Sequence, residues 1–467
     1  MPVVRGRVAI RAGWVVTVDP DFRVIRDGVV VVEDDHISFV GPASELADEP
    51  GSILDFPHHA LLPGLVNVHT HVAMSIFRGL TEDRSDGFYG LVLPMERHLD
   101  ADAIYALSRL GIAEVLLNGC TVINDMYHHA AETARAAAEL GVRAQVAHKV
   151  YDTDLATIRL GRHDVTPSVG DERLAASLRL YDEWNGAGEG RVEIRLGAHA
   201  ADTCTPPLLS RIHAEAEARG AGIHIHVAQS PEERDYMRDT YRTGSIEFLN
   251  DQGFLGPKTV VAHVTYATDE GVRILAATRT PVAHCPAVVA KRGRFGPINA
   301  MYEAGVRIGW GTDAYSMDPW DAIRLGISAN RLANHDITLL SARDAIWRST
   351  MGSADALGWS DRLGSLEPGK QADLILVDVD QPHLAPLYDP VTVLGYNATG
   401  RDVTHVMIGG RFVVEDRRLL TGKQHEIVAE AQVVAERFWT AAGLKPIGLS
   451  TTAASSASRG SLQTKGH

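Results

Sequence analysis

Residues 63–71 read Pro-Gly-Leu-Val-Asn-Val-His-Thr-His, and the fold turns on them. An apolar run opens behind a Pro-Gly pair and ends on two histidines two positions apart. Successive side chains of a strand point to opposite faces, so His69 and His71 share one face. If the run is a strand of a closed barrel, both imidazoles can project inward and bind one ion.

Seven further apolar runs follow, at 121–125, 143–150, 192–198, 223–228, 259–264, 281–286 and 306–312. Amphipathic stretches such as 103–117, 130–140, 207–219 and 269–278 lie between them. Eight runs, each apolar throughout and alternating with helical pattern, are what a closed parallel barrel demands. The chain ends differ. Short β-like runs at 8–10, 14–18, 28–32 and 36–40 are punctuated by Gly and Asp, and the texture returns at 373–378, 403–408 and 410–414. The expected fold class is α/β: a (β/α)8 TIM-like barrel over 63–364, with a small β-sandwich domain built from both chain ends, 1–62 and 365–420. Residues 421–449 are expected to form a C-terminal helix. Residues 450–467, small and polar without periodicity, are expected to be a disordered tail.

Composition narrows the function. The 467 residues carry 45 Lys+Arg against 59 Asp+Glu, a net charge of −14. That lacks the basic footprint of a duplex nucleic-acid binder. No apolar run reaches the roughly 18 residues of a membrane span, and the N-terminus has no apolar signal core. Three widely spaced cysteines, Cys120, Cys204 and Cys285, exclude a disulfide framework or a Cys-rich zinc site and suit a reducing, cytoplasmic setting.

The unusual figure is 21 His. Run one ends on His69 and His71, run four on His199, and run five carries His224 and His226. Run six carries His263, run seven ends His284-Cys285-Pro286, and run eight leads into Asp313. C-terminal strand ends of a parallel barrel converge on one mouth, where active sites form. A His-x-His pair alone is weak, because a chain this rich in His shows roughly one by chance. A lone His at a strand end reads first as a hydrogen-bonded core residue. The joint pattern is different: so many polar groups converging in one mouth would be costly unless a metal or substrate satisfied them. Three His nitrogens and one Asp oxygen suit one Zn²⁺ and would also accept Fe²⁺. Such an ion acidifies a bound water to a pKa of about 7, implying hydrolytic attack on an electrophilic carbon.

The chain resembles the amidohydrolase superfamily, and within it the branch of deaminases and triazine chlorohydrolases. The family opening, PG-[LF]-[VI]-N-x-H-x-H, stands here as residues 63–71. Met74-Ser-Ile-Phe-Arg-Gly-Leu80 and Gly197-Ala-His-Ala-Ala-Asp-Thr-Cys-Thr-Pro206 are similar to the adenosine-deaminating members. Gly364-Ser-Leu-Glu-Pro-Gly-Lys-Gln-Ala-Asp-Leu374 matches their closing signature. The resemblance spans about residues 5 to 420. It implies metal ligation by His69, His71, His226 and Asp313. It implies that Asp313 also takes a proton from the bound water and that His263 orients the attacking water. It implies substrate contact by His199, and a ribose-gripping role for Glu96 that competes with a solvated helix-entry role. In binuclear members a carboxylated Lys ends the fourth strand. Run four offers His199 instead, so one metal is expected, with Lys149 structural or on the surface. Family members are often dimers or larger, which leans toward a homo-oligomer.

Two departures bear on the reaction. Where the family carries His-x-x-Glu, this chain has His226-Val-Ala-Gln229. That Glu protonates the ring nitrogen during deamination, whereas an amide can only donate a hydrogen bond. Glu232 and Glu233 follow, beyond the strand end, and read as helix-entry charges. After His284-Cys285-Pro286 come Ala287, Val288 and Val289 in place of the family's polar pair. The leading reading is hydrolytic deamination of an amino-substituted purine, pyrimidine or nucleoside, with Gln229 as hydrogen-bond donor. The alternative is hydrolysis of a chloro-heterocycle, cyclic amide or imine-like carbon that needs no ring protonation. Metal-assisted elimination and an inactive scaffold complete the alternatives.

Overall fold

The computed structural model describes residues 6–46 and 51–444. Its strands, in chain order, are β1 (Arg7–Val16), β2 (Val24–Glu33), β3 (His36–Pro42), β4 (Ser52–Pro63), β5 (Leu65–Thr70), β6 (Cys120–Tyr127), β7 (Arg143–His148), β8 (Val192–Ala200), β9 (Ile223–Val227), β10 (Thr259–His263), β11 (Val282–His284), β12 (Ile308–Trp310), β13 (Leu374–Asp378), β14 (Val403–Ile408), β15 (Arg411–Glu415) and β16 (Arg418–Leu419). Strands β5 to β12 pair in sequence order, all in parallel, with helices between them. This is a (β/α)8 barrel. Both faces of its strands are buried, which is why each reads as a continuous apolar run.

The ring closes where the first and last strands meet. Thr70 pairs with Asp313, Asp313 N–H donates to His69 O at 3.0 Å, and His71 N–H to Asp313 O at 3.3 Å. Gly311 permits this approach, since a Cβ there would lie 2.6 Å from His69 O. N-terminal to the histidines along the same strands, facing residues such as Val68, Val122, Val260 and Ala283 form an apolar layer with Trp359 and Leu363.

The end segments form one continuous sheet in the order β16-β15-β14-β13-β4-β1-β2-β3. Strand β4 knits the two ends together, running parallel to β1 on one edge and antiparallel to β13 on the other. The runs at 8–10 and 14–18 are a single strand, β1, whose pairing with β4 shifts register at Gly13. Arg143 on β7 clamps this sheet to the barrel through Asp373, at 2.7 and 3.0 Å, and Gln371, at 2.6 Å. The helix Gln424–Ala441 lays Ala431, Ala435 and Phe438 against Met74, Phe77 and Leu107. The expected tail, 450–467, lies outside the described residues.

Candidate metal centre and active site

Four of the eight barrel strands, β5, β9, β10 and β12, end on groups that meet at one point in the mouth. His71 Nε2 lies 3.2 Å from His226 Nε2, and Asp313 Oδ1 lies 3.4 Å from His71 Nε2 and 3.6 Å from His69 Nε2. Four donors bound tetrahedrally at about 2.1 Å stand about 3.4 Å apart. The observed separations are of that size. The ring of His263 stacks on that of His226 at 5.4 Å and meets that of His69 edge-on at 5.0 Å. His69, His226 and His263 form one potential ligand group, and His69, His71 and Asp313 another.

Backbone contacts aim these side chains. His71 Nδ1 sits 2.6 Å from Met126 O, and His226 Nδ1 2.5 Å from His199 O. A carbonyl can only accept, so each Nδ1 carries the proton and each Nε2 presents a lone pair. Two lone pairs 3.2 Å apart repel unless something positive lies between them. His69 Nε2 is buried and has no hydrogen-bond partner. These observations fit a bound cation and leave the donors poorly satisfied otherwise. His69 Nδ1 is held by His224 Nε2 at 2.8 Å, so His224 orients the His69 ring.

The electrostatics agree. Burial pushes His71 down to about 4 and His263 to about 3, and it holds His226 and His199 well below the ordinary histidine range. These imidazoles are neutral at pH 7 and ready to ligate. Burial alone would raise Asp313. The neighbouring imidazoles of His69, His263 and His71 outweigh it and hold its carboxyl below the ordinary carboxylate range, so Asp313 stays ionised. Backbone strain clusters here too. Ala228, His263, Asp313 and Tyr315 all have left-handed φ, between 50° and 78°. Such residues cost about 1–3 kcal/mol each and persist where the surroundings fix them.

Gln229 is half-buried in the wall of a cavity of about 1300 Å³ that also touches Thr312, Ala314 and Tyr315 around Asp313. Its backbone is pinned by a carboxylate. Glu233 accepts from Ala228 N–H at 2.7 Å, Gln229 N–H at 2.9 Å and Ser245 Oγ at 2.6 Å. The reading of Glu233 as a helix-entry charge is therefore corrected: it is fully buried, because it folds back under the strand end it supports. Glu232 does face the cavity. Lys149 is no surface residue either. It is 3% exposed and donates to Glu96 Oε2 at 2.7 Å. Glu96 is equally buried, which removes its solvated helix-entry reading. His199 stands beside the centre, its ring 5.4 Å from that of His226 and its Nδ1 2.9 Å from Thr203 Oγ1. Local patterning missed Lys149, Glu233 and the orienting role of His224. The one available signal was a charged residue inside or just after an apolar run.

The amidohydrolase family profile matches residues 60–413. The 5'-deoxyadenosine deaminase of Methanosarcina acetivorans is 32% identical over 436 residues, which is 92% of this chain and 98% of that protein. The 5-methylthioadenosine/S-adenosylhomocysteine deaminase of Moorella thermoacetica is 35% identical, over 87% of this chain and 94% of its own. An adenosine deaminase of Xanthomonas campestris, solved with bound zinc, superposes with a TM-score of 0.87 at 28% identity, covering 94% of this chain and 100% of that one. With its barrel, its convergent donors and this likeness over most of its length, the chain belongs to the amidohydrolase family.

Proposed function

We propose that this chain is a metal-dependent hydrolase that replaces the exocyclic amine of a purine-nucleoside-type heterocycle with oxygen. The observation that carries the reading is the convergence of unprotonated Nε2 atoms and an ionised Asp313 in the barrel mouth. The relatives named as 5'-deoxyadenosine and methylthioadenosine deaminases support the substrate class.

His69, His71, His226 and Asp313 would hold one divalent ion, zinc by the chemistry of the donors, with ferrous iron the next candidate. When bound, the ion supplies an acidified water and electrophilic polarisation. Asp313 accepts the proton of the attacking water, being the one carboxylate among these donors. His263 faces the same point from its stacked position on His226 and orients the oxygen that attacks. Water adds to the amine-bearing carbon, the C–N bond breaks, ammonia leaves and the ring keeps a carbonyl. Gln229 donates its amide N–H toward a ring nitrogen and holds the substrate without transferring a proton. His199 and Glu96 contact the rest of the substrate. The three buried, unpaired thiols favour a cytoplasmic setting.

A second reading draws on Gln229 itself. A substrate needing no ring protonation, such as a chloro-heterocycle or cyclic amide, would not miss the acid. Ammonia release from aminopurines, aminopyrimidines, pterins and adenosine derivatives, by protein of measured zinc content, separates the two. Release from adenosine derivatives supports deamination. Silence across the panel with one metal per chain refutes it and turns the search to chloride release.

A further inference from the structure

Gln229 leaves a charge to be carried. When water adds to a ring carbon beside a ring nitrogen, the pair of the C=N bond moves onto that nitrogen. A carboxylic acid would neutralise it with a proton, whereas an amide only donates a hydrogen bond.

Two cavities open in the barrel mouth, of about 1300 and 670 Å³. Arg292 lines the larger, together with Gln229, Ala287, Val288 and Tyr315. It ends the short helix Pro286–Lys291, which follows β11, and its N–H donates to Val288 O at 3.1 Å. Its guanidinium lies 5.8 Å from the centre of the Phe88 ring. Carboxylates line this cavity too, but most are engaged elsewhere. Glu114 pairs with Arg78 at 2.6 Å, Asp86 with Arg84 at 3.1 Å and Asp321 with Arg324 at 2.7 Å. Glu82 accepts from the N–H groups of Gly79 and Thr81, and Asp318 from that of Trp320. Asp83 and Glu232 are the others, and among the described residues no carboxylate forms an ion pair with Arg292. Its charge is nevertheless felt at the metal centre. Burial holds His263 down at about 3, and the Arg292 charge adds to it. Burial raises the Tyr315 hydroxyl and the Cys285 thiol, and the same charge opposes both.

We infer that Arg292 is a further catalytic residue: beside Gln229 it faces the ring nitrogen of the substrate and stabilises the negative charge that the ring gains as water adds. The inference rests on hydrolytic attack at a ring carbon, which the deaminase and chlorohydrolase readings share. In deamination Asp313 takes one proton of the water, a C–O bond forms and the C=N pair passes to the ring nitrogen. That pair then returns, the bond to the exocyclic amine breaks, and the proton held by Asp313 leaves with ammonia. The ring is left with a hydroxyl, the tautomer of a carbonyl, and at no point needs a proton on its nitrogen. Arg292 is exposed, so water screens it until a planar ring seats against Ala287 and Val288 and displaces that water.

The test is kcat for ammonia release from adenosine by zinc-loaded protein. Arg292→Met should lower kcat at least about 10-fold with KM changed by less than about threefold, because the charge develops only in the transition state. Arg292→Lys should recover part of the loss. With Gln229→Glu the ring nitrogen receives a proton, so adding Arg292→Met to that variant should cost several-fold less than it costs alone. An unchanged kcat in Arg292→Met, or an equal loss with glutamate at 229, overturns the inference. If adenosine derivatives release no ammonia, the deaminase reading fails, and calorimetry reads the charge instead. Urate, an anion at pH 7, and hypoxanthine, neutral there, are titrated into zinc-loaded protein. Arg292→Met should weaken urate about tenfold more than hypoxanthine. Equal effects on the two, or no binding of urate, overturn the inference independently of turnover.

Discussion

Replacing Gln229 with glutamate would put a proton donor where this chain has only an amide. Backbone hydrogen bonds from Ala228 and Gln229 to Glu233 pin the loop, so the new side chain keeps its place in the wall of the larger cavity. Its surroundings favour a usable acid. Burial, reinforced by the charge of Asp202, lifts Glu233 to about 8, and Glu232 adds a further carboxylate. A carboxyl introduced between them is pushed upward from its ordinary value of about 4.3 toward neutrality. General acid catalysis contributes about 10²- to 10⁴-fold, or about 2.7 to 5.4 kcal/mol of barrier. The assay is kcat for ammonia release from adenosine across the range from about pH 5.5 to 8.5. Gln229→Glu should raise kcat at least about 100-fold at its optimum. The protonated carboxyl is the active form, so the gain should disappear as pH rises through its pKa. An unchanged or lower kcat, with metal content and KM retained, would refute the placement of residue 229 at the point of protonation.

Other perturbations test the rest of the argument. His71→Ala and Asp313→Ala should each abolish both bound metal, measured by elemental analysis, and turnover, because each removes a proposed ligand whose partners stand about one ligand edge away. Arg143→Met should lower folding stability by about 3–5 kcal/mol, since it strands the buried Asp373 carboxylate; chemical denaturation reads this, and an unchanged midpoint counts against the clamp between barrel and sheet. Metal-free protein should lose stability as pH falls from about 6.5 toward 4. Burial depresses His128 to about 4 and His148 and His284 to about 3, so the unfolded chain binds more protons in that window. Burial raises Asp125 to about 7 and Glu233 to about 8, and these work in the opposite sense, but the depressed histidines outnumber them. A thermal midpoint flat or rising over that interval would contradict the assignment.

The barrel was legible because its physics is local. A strand buried on both faces must be apolar along its whole length, and all eight runs read from the sequence correspond to strands β5 to β12. The histidines were legible for a related reason. A polar group breaking off an apolar run at one consistent end marks the mouth. The end strands were harder. β1 is interrupted in the sequence by Gly13, yet it pairs on both sides of that glycine, because β4 holds it from the other edge.

What resisted reading was every group whose environment is supplied from far along the chain. Lys149 meets Glu96 from 53 residues away, and Arg143 meets Asp373 from 230. Nothing local marks such a side chain as buried, since burial of a charge is decided by whether a partner arrives. Glu233 is nearer in sequence, but its role depends on a left-handed turn at Ala228 that brings two N–H groups onto its carboxylate. By itself, then, the sequence determined the barrel, the ring of imidazoles at its mouth and the missing carboxylate at position 229, because periodicity and strand ends encode them directly. Tertiary structure alone decided which Nε2 atoms face one another and which carboxylates are held ionised, because those are properties of distances between strands rather than of any one strand.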